Sequence, residues 1–173
     1  MRMLFILVFA LFTSFGVVAQ NDNSLIGKMS VEKLKNSDHS EWFMKNYNLY
    51  KPEKEKLEQL QNALPKDDFH FEIFFGTWCP DSRREVPRMI KILERIGIEK
   101  GKYNLIGVNQ FKDLPEAYEA ISKKINLNRV PTLIFYKNGK EVNRYVEFAQ
   151  VSLLDDLLLI VQGKDYKHSY FSN

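Results

Sequence analysis

Two apolar runs in the middle of the chain have the composition of buried β-strands. Residues 69–75 read FHFEIFF, and the second half of this run is apolar on both faces, as expected for a central strand covered on two sides. Residues 103–109, YNLIGVN, have the same character. Each run precedes a segment with helical spacing of its apolar positions, at 80–96 and 114–125. This strand–helix–strand–helix order predicts two parallel strands joined by crossover connections.

The C-terminal third of the chain predicts a β-hairpin and a closing helix. TLIFYK and KEVNRYVE flank Asn138-Gly139, a dipeptide that suits a tight type I′ turn. The helix predicted next runs from about 151 to 162, and Gly163 suits its C-terminal cap. The hairpin strands must be antiparallel, so we expect a mixed sheet with helices on both faces.

Residues 20–66 have a mostly helical pattern of apolar positions. A short strand is expected just before Ser30, and a helix from there on. Further helices are predicted at 40–50 and at 53–63, where Pro52 suits a helix start. The fold class is therefore α/β, with a central mixed β-sheet flanked by helices and a helical N-terminal extension.

Residues 1–19 carry the pattern of a secretory signal peptide. Arg2 precedes an uncharged, mostly apolar run from 4 to 19, which ends with Val17 and Ala19 at the small-residue positions of a cleavage site. An uncleaved anchor is the alternative, although the run is shorter than the roughly 20 apolar residues that span a bilayer. We expect an exported protein, periplasmic or secreted, with no stable membrane span after signal removal.

Composition and charge narrow the class of function. The 173 residues are 45% hydrophobic, which suffices for a packed core, and the formal net charge is +3. No basic stripe predicts a nucleic-acid partner. One cysteine and three scattered histidines show no metal-ligand spacing, and none of the histidines has a setting expected for the base of a cysteine hydrolase. We expect no metal and no cofactor.

The candidate chemistry lies in the stretch FFGTWCPDSRREVP at 74–87. It contains Cys79, the only cysteine of the chain. A lone cysteine in an exported protein indicates a free thiol or an intermolecular disulfide, whereas the alternative is a small buried hydrophobic residue. A second copy of the chain linked through Cys79 is one partner that this count allows.

The position of Cys79 at the start of a predicted helix favours the thiolate, which is the nucleophile. The helix N-terminus supplies partial positive charge and free N–H groups, and Pro80 suits the first helical position. Ser82, one turn further on, is placed to hydrogen-bond the sulfur. Arg83 and Arg84 add positive charge nearby, opposed by Asp81. We expect Cys79 to be partly exposed.

Three motifs in order resemble the thioredoxin family over residues 69–163. FFGTWCPDS resembles the active-site turn of that family, with W-C-x-x-S in place of W-C-x-x-C. Pro87 stands where the family has a helix proline, and RVPTLIFYKNGK at 129–140 resembles its cis-proline signature and hairpin. A monothiol glutaredoxin also uses C-x-x-S, but that family favours glycine after the cysteine. The resemblance implies a thioredoxin-like fold.

The resemblance also implies roles for individual residues. Cys79 and Ser82 would be the catalytic pair of positions, and Pro131 would be the cis-proline beside the thiol. The substrate would be bound by Trp78, Pro80, Val130 and Pro131. Trp78 would flank the sulfur, Pro80 would lie next to it, and Val130 would offer backbone groups to an extended substrate. The implied organisation is signal peptide 1–19, mostly helical extension 20–66, thioredoxin-like domain 67–163 and tail 164–173.

The departures from the family pattern bear on function. Ser82 replaces the resolving cysteine, and Ile73 stands where many thioredoxins have a buried aspartate. Glu72 is adjacent, but the strand pleat sends it to the opposite face. Glu147 stands where the family often has glycine, and its charge either affects partner choice or is a solvated strand-end charge.

These features predict an exported monothiol protein that exchanges disulfides through Cys79, in the manner of a thiol–disulfide oxidoreductase or isomerase. Its partners would be cysteine-containing client proteins or low-molecular-weight thiols. A serine hydroxyl does not resolve a mixed disulfide, so release needs an external thiol or a second client cysteine. The alternative is a non-enzymatic binding or chaperone module that uses the cis-proline groove and the N-terminal extension.

Overall fold

Five strands form one mixed sheet in the computed structural model, which describes residues 25–66 and 68–171. The strands are β1 (Gly27–Met29), β2 (Phe69–Phe75), β3 (Tyr103–Gly107), β4 (Thr132–Lys137) and β5 (Lys140–Val146). Their order across the sheet is β1-β3-β2-β4-β5, with β2 and β3 parallel and every other pair antiparallel. The predicted parallel pair and hairpin are confirmed. The predicted signal peptide lies outside the described residues.

Helices cover both faces of this sheet. They are α1 (Val31–Lys35), α2 (Ser40–Leu49), α3 (Lys54–Ala63), α4 (Pro80–Arg95), α5 (Ser122–Ile125) and α6 (Leu153–Val161), with 3₁₀ turns at Lys100–Lys102 and Glu116–Ile121. The continuous helix predicted over 114–125 is therefore wrong in detail, because a 3₁₀ segment fills half of it and one α-helical turn follows. Asn126, with φ of 44°, ends that turn. Among the described residues, no helix has the length and apolar character needed to cross a membrane.

The pleat of β2 divides the core into two clusters. Phe71, Ile73 and Phe75 belong to the larger cluster, which includes the apolar faces of α4 and α6. Phe74 points to the other side, into a smaller cluster that includes Cys79, Tyr118 and Val130. Glu72 shares the face of Phe74 and is buried there, so it lies opposite Ile73 as the alternation predicts.

The N-terminal segment packs on the core of the sheet. β1 adds an edge strand to β3, helix α2 contacts α4, and helix α3 contacts α6. The buried ammonium of Lys91 on α4 donates to the carbonyl oxygens of Tyr47 (2.6 Å) and Tyr50 (2.8 Å) at the end of α2. This satisfies carbonyl groups that a helix C-terminus leaves without partners. The boundary drawn at residue 67 stays a prediction.

The segment after α6 folds back on that helix. Gly163 adopts φ of +63°, and the N–H groups of Gly163 and Lys164 donate to Ile160 and Leu159 in a Schellman arrangement. The hydroxyl of Tyr166 then donates to the buried Asp156 carboxylate at 3.0 Å. At the end of this segment, Tyr170 and Phe171 line a cavity together with Thr132 at the start of β4.

Candidate functional site at Cys79

A four-residue turn links β2 to α4 and places Cys79 at the first position before the helix. The N–H of Cys79 donates to the carbonyl of Gly76 at 3.0 Å. The indole of Trp78 folds over Gly76 so closely that an added β-carbon there would lie 2.4 Å from the ring. The indole N–H donates to the carbonyl of Val108 at 3.0 Å, just after β3. Glycine at 76 is thus required for Trp78 to lie in this position.

Ser82 hydrogen-bonds the backbone of this turn and not the sulfur of Cys79. It is fully buried, and its Oγ accepts a hydrogen bond from the N–H of Gly76 at 3.2 Å. The described residues include no hydrogen bond between Ser82 and Cys79, so the expected contact is wrong. The Oγ lies toward the end of β2, where a free backbone N–H is available. Arg83 also fixes the turn, because its guanidinium donates to the carbonyl of Thr77.

The sulfur of Cys79 is covered by the segment that precedes Pro131. Cys79 is 6% exposed, and its S–H donates to the carbonyl of Val130 at 3.2 Å. The expectation of a partly exposed thiol is therefore wrong in this conformation. The reason is a contact 51 residues away in sequence, which the local motif does not reveal. The S–H must leave this carbonyl before the sulfur attacks, because the thiolate is the nucleophile.

The Val130–Pro131 peptide bond is cis. The carbonyl of Pro131 accepts from the N–H of Glu147 at 2.7 Å, and the hydroxyl of Thr132 donates to the carbonyl of Arg129 at 2.7 Å. These bonds fix the loop beside the sulfur. From the sequence we expected the Val130 backbone to be available to an extended substrate. In the structure its carbonyl already accepts the hydrogen bond of the Cys79 thiol.

A solvent-open groove of about 580 Å³ lies over the sulfur. It is lined by Trp78, Cys79, Gln110, Lys112, Asn128, Arg129, Val130 and Glu147. Three of the predicted site residues thus meet in one groove. Of the others, Pro80 is exposed at the helix start, whereas Ser82 and Pro131 are buried behind it. None of the described residues that line the groove is a histidine.

Glu147 is held in an unusual conformation at the edge of this groove. Its φ is +64°, a left-handed region that costs a non-glycine residue about 1–2 kcal/mol. Its carboxylate lies 3.4 Å from the guanidinium of Arg129. Its hydrogen bond with Tyr170 raises the pKa of that phenol. The Arg129 guanidinium also stacks over the Tyr170 ring at 4.0 Å.

The carboxylate of Glu147 is therefore part of a network at the groove rather than a solvated strand-end charge, and an effect of its charge on partner choice stays a prediction. The sequence patterns do not mark Arg129 or Tyr170 as residues of the site. The signal available was the glutamate at a position where the family often has glycine, which indicates a site with a specific requirement.

A second rim of the groove presents an exposed aromatic ring. Phe111 is 84% exposed and lies between Gln110 and Lys112. The side-chain oxygen of Asn109 accepts from the N–H groups of Phe111 (3.0 Å) and Asp113 (3.1 Å), which closes a tight loop. The loop therefore holds a large apolar side chain in solvent, between two residues that line the groove.

The charges expected near the sulfur are largely paired. Arg84 lies 2.6 Å from Asp81 and 2.6 Å from the buried Glu85, and Arg88 lies 3.2 Å from Glu85. The guanidinium of Arg84 is thus directed along α4 rather than at Cys79. In the described part of the chain, no group of three or more metal-ligating side chains occurs.

The sheet order, the strand–turn–helix at Cys79 and the hairpin after Pro131 define a thioredoxin-like fold. Among solved structures, an HIV epitope-scaffold has a TM-score of 0.50 at 14% identity, over 73% of this chain and 83% of that chain. A protein of unknown function from Pseudomonas aeruginosa has a TM-score of 0.49 at 15% identity, over 72% and 81%.

Comparison with curated proteins supports the thioredoxin family. The chain is 33% identical over 73 residues to Thioredoxin-2 of Saccharomyces cerevisiae, covering 42% of this chain and 62% of that protein. It is 28% identical over 72 residues to the chloroplastic Thioredoxin Y of Oryza sativa subsp. japonica, covering 42% and 38%. Thioredoxin-1 of Saccharomyces cerevisiae is 25% identical over 88 residues, covering 51% and 77%. The matches span less than two thirds of the first two relatives, and no family model matches the chain.

Proposed function

We propose that this protein exchanges disulfides through Cys79 as a monothiol. The observation that carries the proposal is the position of the sulfur, which lies at the start of α4, against the cis Val130–Pro131 bond, beneath an open groove. The similarity to thioredoxins supports the same class of chemistry.

The exchange takes place in two steps. The Cys79 thiolate attacks one sulfur of a client disulfide, an S–S bond forms to Cys79, and the other client sulfur leaves as a thiolate. Ser82 has no sulfur and its hydroxyl is committed to the Gly76 N–H. An external thiolate, or a second thiolate of the client, must therefore attack the mixed disulfide and restore Cys79.

Burial of the sulfur means that Cys79 must move before it reacts. The hydrogen bond from its S–H to the Val130 carbonyl has to break before the sulfur attacks. We therefore expect client binding in the groove to precede or accompany the chemical step. Trp78 lines the groove and Pro80 is exposed at the helix start, so a client segment is expected to contact these two residues first. The backbone at Val130 becomes available to the client once the thiol leaves its carbonyl.

We also propose that the protein works after export, as a periplasmic or secreted protein. The support is the apolar run after Arg2 and the small residues Val17 and Ala19. Mass measurement of the protein isolated from its host tests this point. An N-terminus at Gln20 is expected, whereas a chain that retains Met1 would contradict cleavage.

Client trapping tests the exchange itself. Reduced wild-type protein is incubated with a disulfide-bonded client, alkylated, and examined by non-reducing electrophoresis and mass spectrometry. We expect a covalent complex through Cys79, which an added thiol reduces. Cys79→Ser should form no such complex. Absence of the complex with wild-type protein that remains folded would overturn the proposal.

A non-enzymatic binding module is the second candidate, and the exposed ring of Phe111 is the observation that favours it. Exposed aromatic side chains at a groove are typical of client-docking surfaces. For this function, Cys79→Ser should leave client affinity unchanged, whereas Phe111→Ser should weaken it. Thiol exchange as the main function predicts that Cys79→Ser abolishes capture. Val142→Ser, at the distant end of the sheet, serves as the control for loss of an exposed apolar side chain.

A further inference from the structure

A basic cavity lies next to the thiol groove and has no assigned role. Its volume is about 460 Å³, within the range of small-molecule sites. Its polar lining consists of Lys124, Asn126, Asn128, Arg129, Arg144 and His168, with the hydroxyl groups of Thr132 and Tyr170. No carboxylate is found among the described residues that line it. Asn128 and Arg129 line both this cavity and the groove over Cys79, so the two spaces adjoin.

Several hydrogen-bond donors of this cavity remain available for a ligand. Lys124 is exposed and has no ion-pair partner among the described residues. Arg129 uses one guanidinium nitrogen for a long contact of 3.4 Å with Glu147. Arg144 is instead committed, because it pairs with Glu141 and donates to the carbonyl of Ile125.

His168 contributes a further donor. Its Nδ1 accepts the N–H of Tyr170 at 3.2 Å, and burial lowers its pKa. A neutral ring that accepts at Nδ1 carries its proton on Nε2. The cavity therefore combines cationic and neutral donors. Two carboxylates pair with its cations, Glu147 with Arg129 and Glu141 with Arg144, but neither lines the cavity. Lys124, the remaining N–H groups of Arg129 and the Nε2–H of His168 are the donors that can receive an anion.

We propose that the basic cavity binds the carboxylate groups of a small anionic thiol and so selects this class as the external thiol that releases Cys79. This inference rests on the proposed exchange function. In the release step, the thiolate of the bound molecule attacks the sulfur that is joined to Cys79 in the mixed disulfide. A new S–S bond forms between the small thiol and the group that Cys79 carried, the S–S bond to Cys79 breaks, and Cys79 leaves as a thiolate.

The release step is measured by itself when different thiols act on one and the same Cys79 adduct. The Cys79 mixed disulfide is prepared with hydroxyethyl disulfide, so that its adduct is neutral. Glutathione, which bears carboxylates and a net negative charge, is then compared with neutral mercaptoethanol and cationic cysteamine. Each rate is divided by the rate of the same thiol with free hydroxyethyl disulfide, which removes intrinsic reactivity.

We expect glutathione to release Cys79 about tenfold faster than cysteamine at low salt, and the difference to shrink at high salt. Lys124→Glu should remove most of this preference. Lys140→Glu is the matched control, because Lys140 is an exposed lysine at the hairpin turn, the far end of β4 from the cavity. Equal normalised rates for the three thiols, or equal effects of the two variants, would overturn the inference.

A binding measurement separates this inference from the exchange function. S-methylglutathione has the carboxylates but no free thiol, and it is titrated into the Cys79→Ser variant by NMR. We expect shifts at Arg129 and His168, and weaker binding with Lys124→Glu added. If wild-type protein forms no adduct but this binding is present, the exchange function fails and the anion site stands. If the adduct forms but no binding occurs, the anion site fails alone.

Discussion

Ser82→Cys is the substitution that should turn this protein from a monothiol into a dithiol exchanger. The two positions are separated by two residues at the start of α4, the spacing of a C-x-x-C motif. A second sulfur there attacks the mixed disulfide on Cys79 and releases the client without any external thiol. The substitution therefore supplies the step that the wild-type chain lacks.

The structure sets the cost of this change. Ser82 is fully buried and accepts a hydrogen bond from Gly76, and loss of that bond costs about 1 kcal/mol. The larger sulfur in a closed site adds about 1–3 kcal/mol. The sum of about 2–4 kcal/mol is below the stability of about 5–15 kcal/mol that domains have, so the variant should fold with a lower urea midpoint.

The assay counts products in a single turnover. Reduced protein is mixed with a protein disulfide, and intact masses are read without added thiol. Wild type should stop at the mixed disulfide, whereas Ser82→Cys should end as an internal disulfide with fully reduced client. Ser82→Ala is the control, since it loses the same hydrogen bond without gaining a sulfur. Release of reduced client by wild type, or a persistent mixed disulfide in Ser82→Cys, would contradict this prediction.

Three further predictions concern the scaffold around the site. Gly76→Ala forces the indole of Trp78 out of its contact; we expect a loss of about 1–3 kcal/mol in urea unfolding and a changed tryptophan emission, with no loss for Gly101→Ala, where an added methyl meets nothing. Burial raises the pKa of Glu72 above 4.5, so the native state holds this proton more tightly and its stability falls as pH rises from 4.5 through the native pKa. Glu72→Gln should therefore gain stability relative to wild type across that window, and an unchanged difference between pH 4 and pH 8 would contradict the assignment. Lys91→Met leaves two carbonyls at the end of α2 without their donor; we expect a loss of about 2–4 kcal/mol in thermal or urea unfolding, and a loss below about 0.5 kcal/mol, the usual size of a surface effect, would contradict it.

Local patterns predicted the elements that form the site. The bounds of β2 and the start of α4 at Pro80 follow from composition and from the proline, and the hairpin turn follows from Asn138-Gly139, where both residues adopt positive φ. The cis bond at Pro131 sits in the signature that resembles the thioredoxin family. These features depend on short stretches of sequence and on local backbone preferences.

Local sequence patterns did not predict the contacts between segments that are distant in the chain. The burial of Cys79 depends on a carbonyl 51 residues away, and the role of Ser82 depends on where the β2 backbone ends. The network of Glu147 requires the tail to bring Tyr170 to Arg129. Adjacency of the basic cavity likewise arises from packing of α5, β5 and the tail. Hydrophobic periodicity does not predict these contacts, because tertiary packing determines them.

Disulfide exchange through Cys79 is tested most directly by the intact mass of native wild-type protein after incubation with hydroxyethyl disulfide at neutral pH. We expect one adduct on Cys79, its complete removal by an external thiol, and no adduct on Cys79→Ser. A parallel sample unfolded in guanidinium shows that the thiol itself is reactive. Failure of the native protein to form the adduct, with full reaction of the unfolded sample, would contradict disulfide exchange and indicate that Cys79 is a buried structural residue.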